Sequence, residues 1–287
     1  MFFGIPGIVP LFMALCTGFL ASCGPLEGPG KGRPALRVYF LNVGQGDACL
    51  MRTPGNRWFL YDVGNRDDYL IPFLKSVRAD TLAAVFLSHP DLDHFGAFPA
   101  LLREIPVKKA YLPSASNPNP AWMEVLGDLD AYRVESDTLF AGDTLLWEGE
   151  VRMRALWPPP HTGLAGNNLS TVLRVEYLSR RILLTGDIED EAERGLLASG
   201  AVPAADILKV AHHGSRTSSG LPFLSAVEPR WAIISCDSSV YGHPHAEAVA
   251  DLKLMIGDST RILRTDREGT VGFEIDEWGI RRLGSGE

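Results

Sequence analysis

Cysteine is scarce: four residues, Cys16, Cys23, Cys49 and Cys236, in a chain of 287, with no Cys-x-x-Cys pair among them. A structural zinc of the finger or ribbon type needs such pairs and is excluded. Cys49 and Cys236 sit in apolar, strand-like stretches, which predicts two buried free thiols rather than a bridge. Basic charge is also short, with 27 Lys and Arg against 35 Asp and Glu and a formal net charge of −8. A chain that gripped long duplex DNA nonspecifically would usually carry a basic surplus or stripe, which argues against global steering toward a polyanion. The pairs Lys108-Lys109, Arg180-Arg181 and Arg281-Arg282 read as solvated strand ends, which leaves local phosphate capture near Lys209, Arg216 or Arg264 open. No internal repeat or low-complexity block divides the sequence.

Charge is missing altogether from the first 26 residues. The run at 8–16 reads as the apolar core of an export signal. Leu20-Ala21-Ser22-Cys23 then matches a bacterial lipobox, in which cleavage before Cys23 exposes a thiol for lipid attachment. No Lys or Arg precedes the run, and Pro6 and Pro10 disfavour a long helix, so an uncleaved membrane anchor is the rival reading. Either one makes the protein extracytoplasmic and membrane-anchored. The expected organisation is a lipoprotein-type signal peptide at 1–22, a Gly/Pro-rich tether at 23–34 and one large domain at 35–287, for which the 46% hydrophobic content supplies a sizeable core.

What the sequence does have is a dense set of potential metal ligands. Ser88-His89-Pro90-Asp91-Leu92-Asp93-His94 places two imidazoles and two carboxylates directly behind the apolar run at 82–87. Carboxylates so close repel, and each loses hydration on burial, so the cluster is costly without a cation. Two more apolar stretches end in similar chemistry. Residues 181–186 stop at Asp187, whose other reading is a helix N-cap, and 207–211 stop at His212-His213-Gly214-Ser215. His161, in a Pro-rich stretch, reads as a loop residue. Strands are predicted near 37–42, 48–52, 58–62, 82–87, 109–112, 151–157, 171–177, 181–185, 207–211, 231–235, 261–264 and 270–275. Helices are predicted near 69–77, 96–103, 121–129, 189–199, 223–227 and 245–255. Interleaved in this way, they indicate a layered α/β fold.

His89, Asp91, Asp93 and His94, followed by Thr185-Gly186-Asp187 and by His212-His213-Gly214-Ser215, resemble the metallo-β-lactamase superfamily. Further segments are similar to the C-terminal metallo-β-lactamase-like domain of ComEC competence proteins: residues 40–48, Tyr61-Asp62-Val63-Gly64, residues 167–172, Tyr241-Gly242-His243-Pro244-His245 and residues 264–269. The resemblance implies a four-layer αββα sandwich, one or two divalent ions, zinc or manganese, and a hydrolase. It further implies a phosphodiester substrate such as single-stranded DNA, handled during DNA uptake. Alternatives are small or cell-envelope phosphoesters, β-lactams, or a noncatalytic metal-stabilised scaffold. Asp91 stands where the broader superfamily has a second histidine, and an oxygen donor shifts preference toward manganese.

A bound divalent ion lowers the pKa of water toward neutrality. In this reading His89 and Asp91 serve one ion, and Asp93, His94 and His212 the other, with Asp187 between them; His213 is the alternative to His212. No further histidine stands at a strand end between His94 and Asp187, so one of the two sites is expected to be incomplete. The catalytic set is Asp93, Asp187 and His243, with His243 protonating a leaving group, holding phosphate, or serving only as a hydrogen-bonded turn residue. Asp62 is expected to orient a ligand. Asn168, Ser170, His213 and Ser215 are expected near substrate or as supports of the loops.

Overall fold

The computed structural model describes Met1 and residues 34–115, 117–147, 151–202 and 204–284. The chain divides into two units, Met1–Arg33 and Pro34–Glu287, of which the second is described below. The expected signal segment, Cys23 and the tether lie outside the described residues, apart from Met1 and Pro34 at their ends.

The strands are β1 (Leu36–Phe40), β2 (Ala48–Arg52), β3 (Trp58–Val63), β4 (Leu82–Phe86), β5 (Lys109–Leu112), β6 (Glu135–Thr138), β7 (Thr144–Trp147), β8 (Val151–Trp157), β9 (Val172–Tyr177), β10 (Arg180–Leu184), β11 (Ile207–Lys209), β12 (Trp231–Ile234), β13 (Ile262–Arg264), β14 (Val271–Asp276) and β15 (Gly279–Arg282). The helices are α1 (Asp67–Ser76), α2 (Leu92–Phe95), α3 (Phe98–Glu104), α4 (Pro120–Ala131), α5 (Asp190–Ser199), α6 (Leu221–Val227), α7 (Ala246–Ile256) and α8 (Thr265–Glu268). They build two mixed sheets, ordered β15-β14-β1-β2-β3-β4-β5-β6 and β13-β12-β11-β10-β9-β8-β7.

Alternation along the strands sorts the apolar side chains into three layers, because successive residues of a strand face opposite sides of the sheet. Val38 and Phe40, Phe59 and Tyr61, and Ala84 and Phe86 meet Met153, Val175, Ile182 and Leu184 between the sheets. Leu60 and Val85 face the other way, onto Leu70 and Leu74 of α1, Phe98 and Leu101 of α3 and Val125 of α4. Leu183, Leu208, Ala232 and Ile234 pack on Leu196 of α5, Phe223 and Leu224 of α6 and Leu252 of α7. The result is the αββα sandwich. Cys49 and Cys236 are buried and free.

Three strands escape the sequence pattern. The edge strand β6 reads Glu-Ser-Asp-Thr and is mostly exposed, so no apolar alternation marks it. β7 is half-exposed along its length, and β15 ends in two exposed arginines. The helix expected at 96–103 begins earlier, as two pieces joined at Gly96 and Ala97, with Pro99 in the first turn of the second piece.

β3 runs parallel to β4, and β10, β11, β12 and β13 run parallel to one another, so their carboxyl ends share a rim of each sheet. The two rims are joined there: the Tyr61 hydroxyl donates to the Thr171 carbonyl at 2.6 Å, and the Thr171 amide donates to the Ser88 carbonyl at 2.9 Å.

Glu193 anchors α5 to the loop that follows the paired histidines, accepting from the amides of Ser219 and of Gly220, the latter at 3.1 Å. Burial pushes its carboxyl up to about 7, from 4.5, against the pull of those two amides. An acid whose pKa is higher folded than unfolded binds a proton more tightly when folded. Its contribution to stability is complete below about 4.5 and is lost as the pH rises through about 7. Urea titrations of the wild type and Glu193→Gln should therefore differ in slope across that window, the wild type alone losing up to about 3 kcal/mol; parallel curves would contradict the assignment.

Candidate metal centre

Three loops carry the donors, and each is held by local geometry. After β4 the chain turns so that Asp91 stands extended ahead of α2, and that single turn presents Asp93 and His94. After β10, Gly186 adopts φ +52 where a Cβ would lie 2.9 Å from the Cβ atoms of both Ser88 and Ser170, so only glycine lets these loops meet. The Ser170 hydroxyl accepts from the Asp187 amide at 3.1 Å and fixes that carboxylate's origin. After β11, His212 and His213 both take left-handed backbone, φ 48 and φ 52. Such strain in non-glycine residues gathers at functional sites.

The donors converge. His94 Nε2 lies 3.2 Å from Asp187 Oδ1, and His213 Nε2 lies 3.4 Å from Asp187 Oδ2 and 3.2 Å from Asp93 Oδ2. One ligand atom from each of Asp93, His94, Asp187 and His213 falls within 4.8 Å of the others. Nε2 of His89, His94 and His213 and Oδ1 of Asp187 are buried without a hydrogen-bond partner. Buried polar atoms are normally satisfied, so donors that are close but unaligned fit a cation at their centre. The set of imidazole nitrogen and carboxylate oxygen is one that divalent transition metals accept.

Of the two adjacent rings, His213 turns inward. His212 is 23% exposed, sits 3.9 Å from Asp187, and faces Glu189 at 3.3 Å. His89 packs against His94 at 4.1 Å between ring centres, and its Nε2 is 3.7 Å from the half-exposed Asp91. His243 is buried 5.5 Å from the His212 ring, with its Nδ1 unpaired. Asp62 backs His94, accepting at 2.8 Å from the ring and at 2.7 Å each from the Ser88 amide and hydroxyl. Asn168 caps α5 through the amides of Glu189 and Ala192, and Ser215 closes a turn with Thr217; both hold loops. His161 lies in an exposed turn.

Two buried residues of the site escaped the sequence reading. Asp47 lies 3.4 Å from His213 Nδ1, whose closer partner is the Ser235 carbonyl at 2.9 Å, and 2.6 Å from the Lys209 ammonium. Lys209 is thus committed to Asp47 and the Val210 carbonyl, and is closed to the phosphate suggested for it. Arg264 is likewise bound by Asp266. A lone lysine between Leu208 and Val210 in an apolar strand was the available signal of a buried acidic partner.

Protonation follows this geometry. Burial alone would strip the proton from His94, but Asp187 and Asp62 outweigh it and hold the imidazolium well above its usual range. His213 is raised in the same way by Asp187 and Asp47. Burial would raise the Asp187 carboxyl too, yet the two rings pull it well below the ordinary value. His89 lacks so close a carboxylate, and burial drives it down to about 3. Burial and the neighbouring rings take His243 down to about 4. Burial raises Asp47 but Lys209 and His213 prevail, leaving it at about 2. Protons on His94 and His213 would thus balance the buried carboxylates where a divalent cation could take their place.

A helix-sheet-sheet-helix sandwich with a His/Asp cluster at its strand ends is a metallo-hydrolase fold carrying a site suited to metal ions. The chain belongs to the metallo-beta-lactamase superfamily, whose family model matches residues 41–238. Among characterised relatives it is 32% identical over 256 residues to ComE operon protein 3 of Bacillus subtilis, covering 82% of this chain and 32% of that protein. It is 31% identical over 280 residues to competence protein ComA of Neisseria gonorrhoeae, covering 96% of this chain and 37% of that one. The chain thus spans about a third of the length of these relatives. Among solved structures, Igni18, a metallo hydrolase from Ignicoccus hospitalis, superposes with TM-score 0.55 at 14% identity, covering 84% of this chain and all of that one. CmlA, a diiron β-hydroxylase from Streptomyces venezuelae, gives TM-score 0.55 at 14% identity, over 89% of this chain and 55% of that one. At such identities the two structures speak for the fold alone.

Metal ligands must be deprotonated, so loading should exchange protons for the ion. Calorimetry of zinc or manganese binding at pH 6.5 in buffers of different ionisation enthalpy should report release of about two protons per first ion, with affinity rising with pH. Release near zero would mean that His94 and His213 do not take the ion.

Proposed function

We propose that the protein is a metal-dependent phosphodiesterase acting on nucleic acid outside the cytoplasm, held at a membrane by its N-terminal segment through lipidated Cys23 or an uncleaved anchor. The observation that carries the reading is the convergence of Asp93, His94, Asp187 and His213 where both sheets end, with Nε2 of both rings and Oδ1 of Asp187 buried and unpartnered. One relative is named a competence protein and another is named for the ComE operon, which favours nucleic acid over β-lactams as the substrate. Asp91 at the cluster's rim adds an oxygen donor, and manganese is the favoured metal, with zinc as the second choice.

Asp93, His94, Asp187 and His213 would hold the first ion, and His89 with Asp91 a second. When bound, the metal supplies Lewis acidity to a phosphoryl oxygen and acidifies water for attack. The chain's own part is to aim and to neutralise. Asp62 and the Ser235 carbonyl fix the Nδ1 sides of His94 and His213, so that both rings present Nε2 to the cluster. Asp91, half-exposed at the rim, brings its carboxylate beside His89 on the side open to an incoming nucleophile. His243 is neutral at ordinary pH and offers its ring N–H to a phosphoryl oxygen as a hydrogen bond, in preference to serving as a strong acid.

The test is hydrolysis of single-stranded DNA, bis-p-nitrophenyl phosphate and a chromogenic β-lactam by the purified chain with manganese or zinc. Both phosphodiesters should be cleaved and the lactam spared. Asp93→Asn should lose more than the roughly 10- to 100-fold typical of changes to a ligand's outer partners, while keeping its circular dichroism. Cleavage of only the small ester would overturn the nucleic-acid part. Turnover of none of the three, with folding that depends on metal, would favour a noncatalytic scaffold.

A further inference from the structure

Beside the cluster lies a groove of about 360 Å³, bordered by Gln45, Asn65, Leu92, Asp93, Val240 and Tyr241. That volume is at the small end for a ligand cleft. Asp93 belongs both to this groove and to the donor cluster, so the groove opens directly beside the point where a reacting bond would sit.

Its lining selects a chemistry. Tyr241 is 77% exposed at the rim and holds a left-handed backbone, φ +53, so the chain accepts an unfavourable conformation at the residue that presents this ring to solvent. Leu92 and Val240 add exposed apolar surface. The loop that carries Tyr241 is pinned to the groove: the Asp237 amide donates to Gln45 Oε1 at 3.1 Å. Both remaining charges of the lining are engaged locally. Arg66 is bound twice by Asp68 and lies over the Tyr69 ring, and Asp237 accepts from the amide and hydroxyl of Ser239. The groove therefore offers an aromatic face, an apolar wall and side-chain amides, with no uncommitted cation among its described residues to take a phosphate. A flat, uncharged group with hydrogen-bonding edges matches it, and a nucleobase is that group.

We propose that this groove is a nucleobase subsite, in which Tyr241 stacks on the base beside the scissile phosphodiester. The proposal rests on the phosphodiesterase reading above and narrows it to unpaired strands, since a base reaches an aromatic platform only outside a duplex.

The probes are fluorescein-labelled oligothymidylate and an abasic oligonucleotide of the same length, which keeps the phosphates and lacks the bases. Binding to the full chain is read by anisotropy without added metal, and cleavage is followed separately with manganese or zinc. The wild type should bind the base-bearing strand on the order of 10- to 100-fold more tightly. Tyr241→Ala should level the two affinities, and Tyr241→Trp should keep the preference. Equal binding of both strands by the wild type, no binding of either, or a preference that survives Tyr241→Ala would overturn the subsite. The two readings fail separately: base preference without cleavage under either metal sinks the hydrolase reading and keeps the subsite, and cleavage without preference does the reverse.

Discussion

Asp187 lies buried between His94 and His213, near enough to both that each protonation state constrains the others, with Asp93 crowding the same ring nitrogen from the open side. Without a cation, the carboxylates keep their charge inside the protein only because the two imidazoles stay protonated. A divalent ion replaces two protons with the same charge at the same place. The apo and loaded states are thus nearly isoelectric at the cluster, and neither leaves the buried acids uncompensated, which is the costly alternative.

The surrounding architecture serves this one constraint. Each inward ring is backed by its own acid, and the two acids are compensated differently. Asp62 accepts from the neutral donors of Ser88 besides the His94 ring, whereas Asp47 is charge-paired with the buried ammonium of Lys209. Lys209 lies at the end of β11, the strand that delivers His213, so the charge that settles Asp47 arrives on the same backbone as the ring it supports. The left-handed turn at His212 and His213 and the glycine at 186 bring three strand ends within reach of one point. The three apolar layers supply the rigidity that keeps them there.

Much of this was legible in the linear sequence, for particular reasons. The 89–94 cluster is local, and its ligands are consecutive enough that their density gave them away. Asp187 and the paired histidines showed themselves because apolar strands run directly into them. Which of His212 and His213 turns inward is a matter of two backbone torsions, and side-chain chemistry does not encode it. The supports were harder still. Asp47 reads as one more acid in a Gly-rich turn, and Lys209 as a possible phosphate ligand, because their pairing joins positions 162 residues apart across the two sheets. Asn168 and Ser170, legible only as residues near the site, prove to hold α5 and the Asp187 amide. The edge strands β6 and β7 lacked a buried face and so left little trace. The pairing of the two sheets came from family resemblance, and periodicity alone did not contain it.

The most direct measurement is anomalous diffraction, at the metal's absorption edge, from crystals grown with manganese or zinc. The expected result is a peak enclosed by His94 Nε2, His213 Nε2, Asp187 and Asp93, with ligand distances contracted to about 2.0–2.2 Å for zinc. A featureless map at that position in metal-saturated crystals, or a peak elsewhere with His94 and His213 still ion-paired to Asp187, would contradict the account.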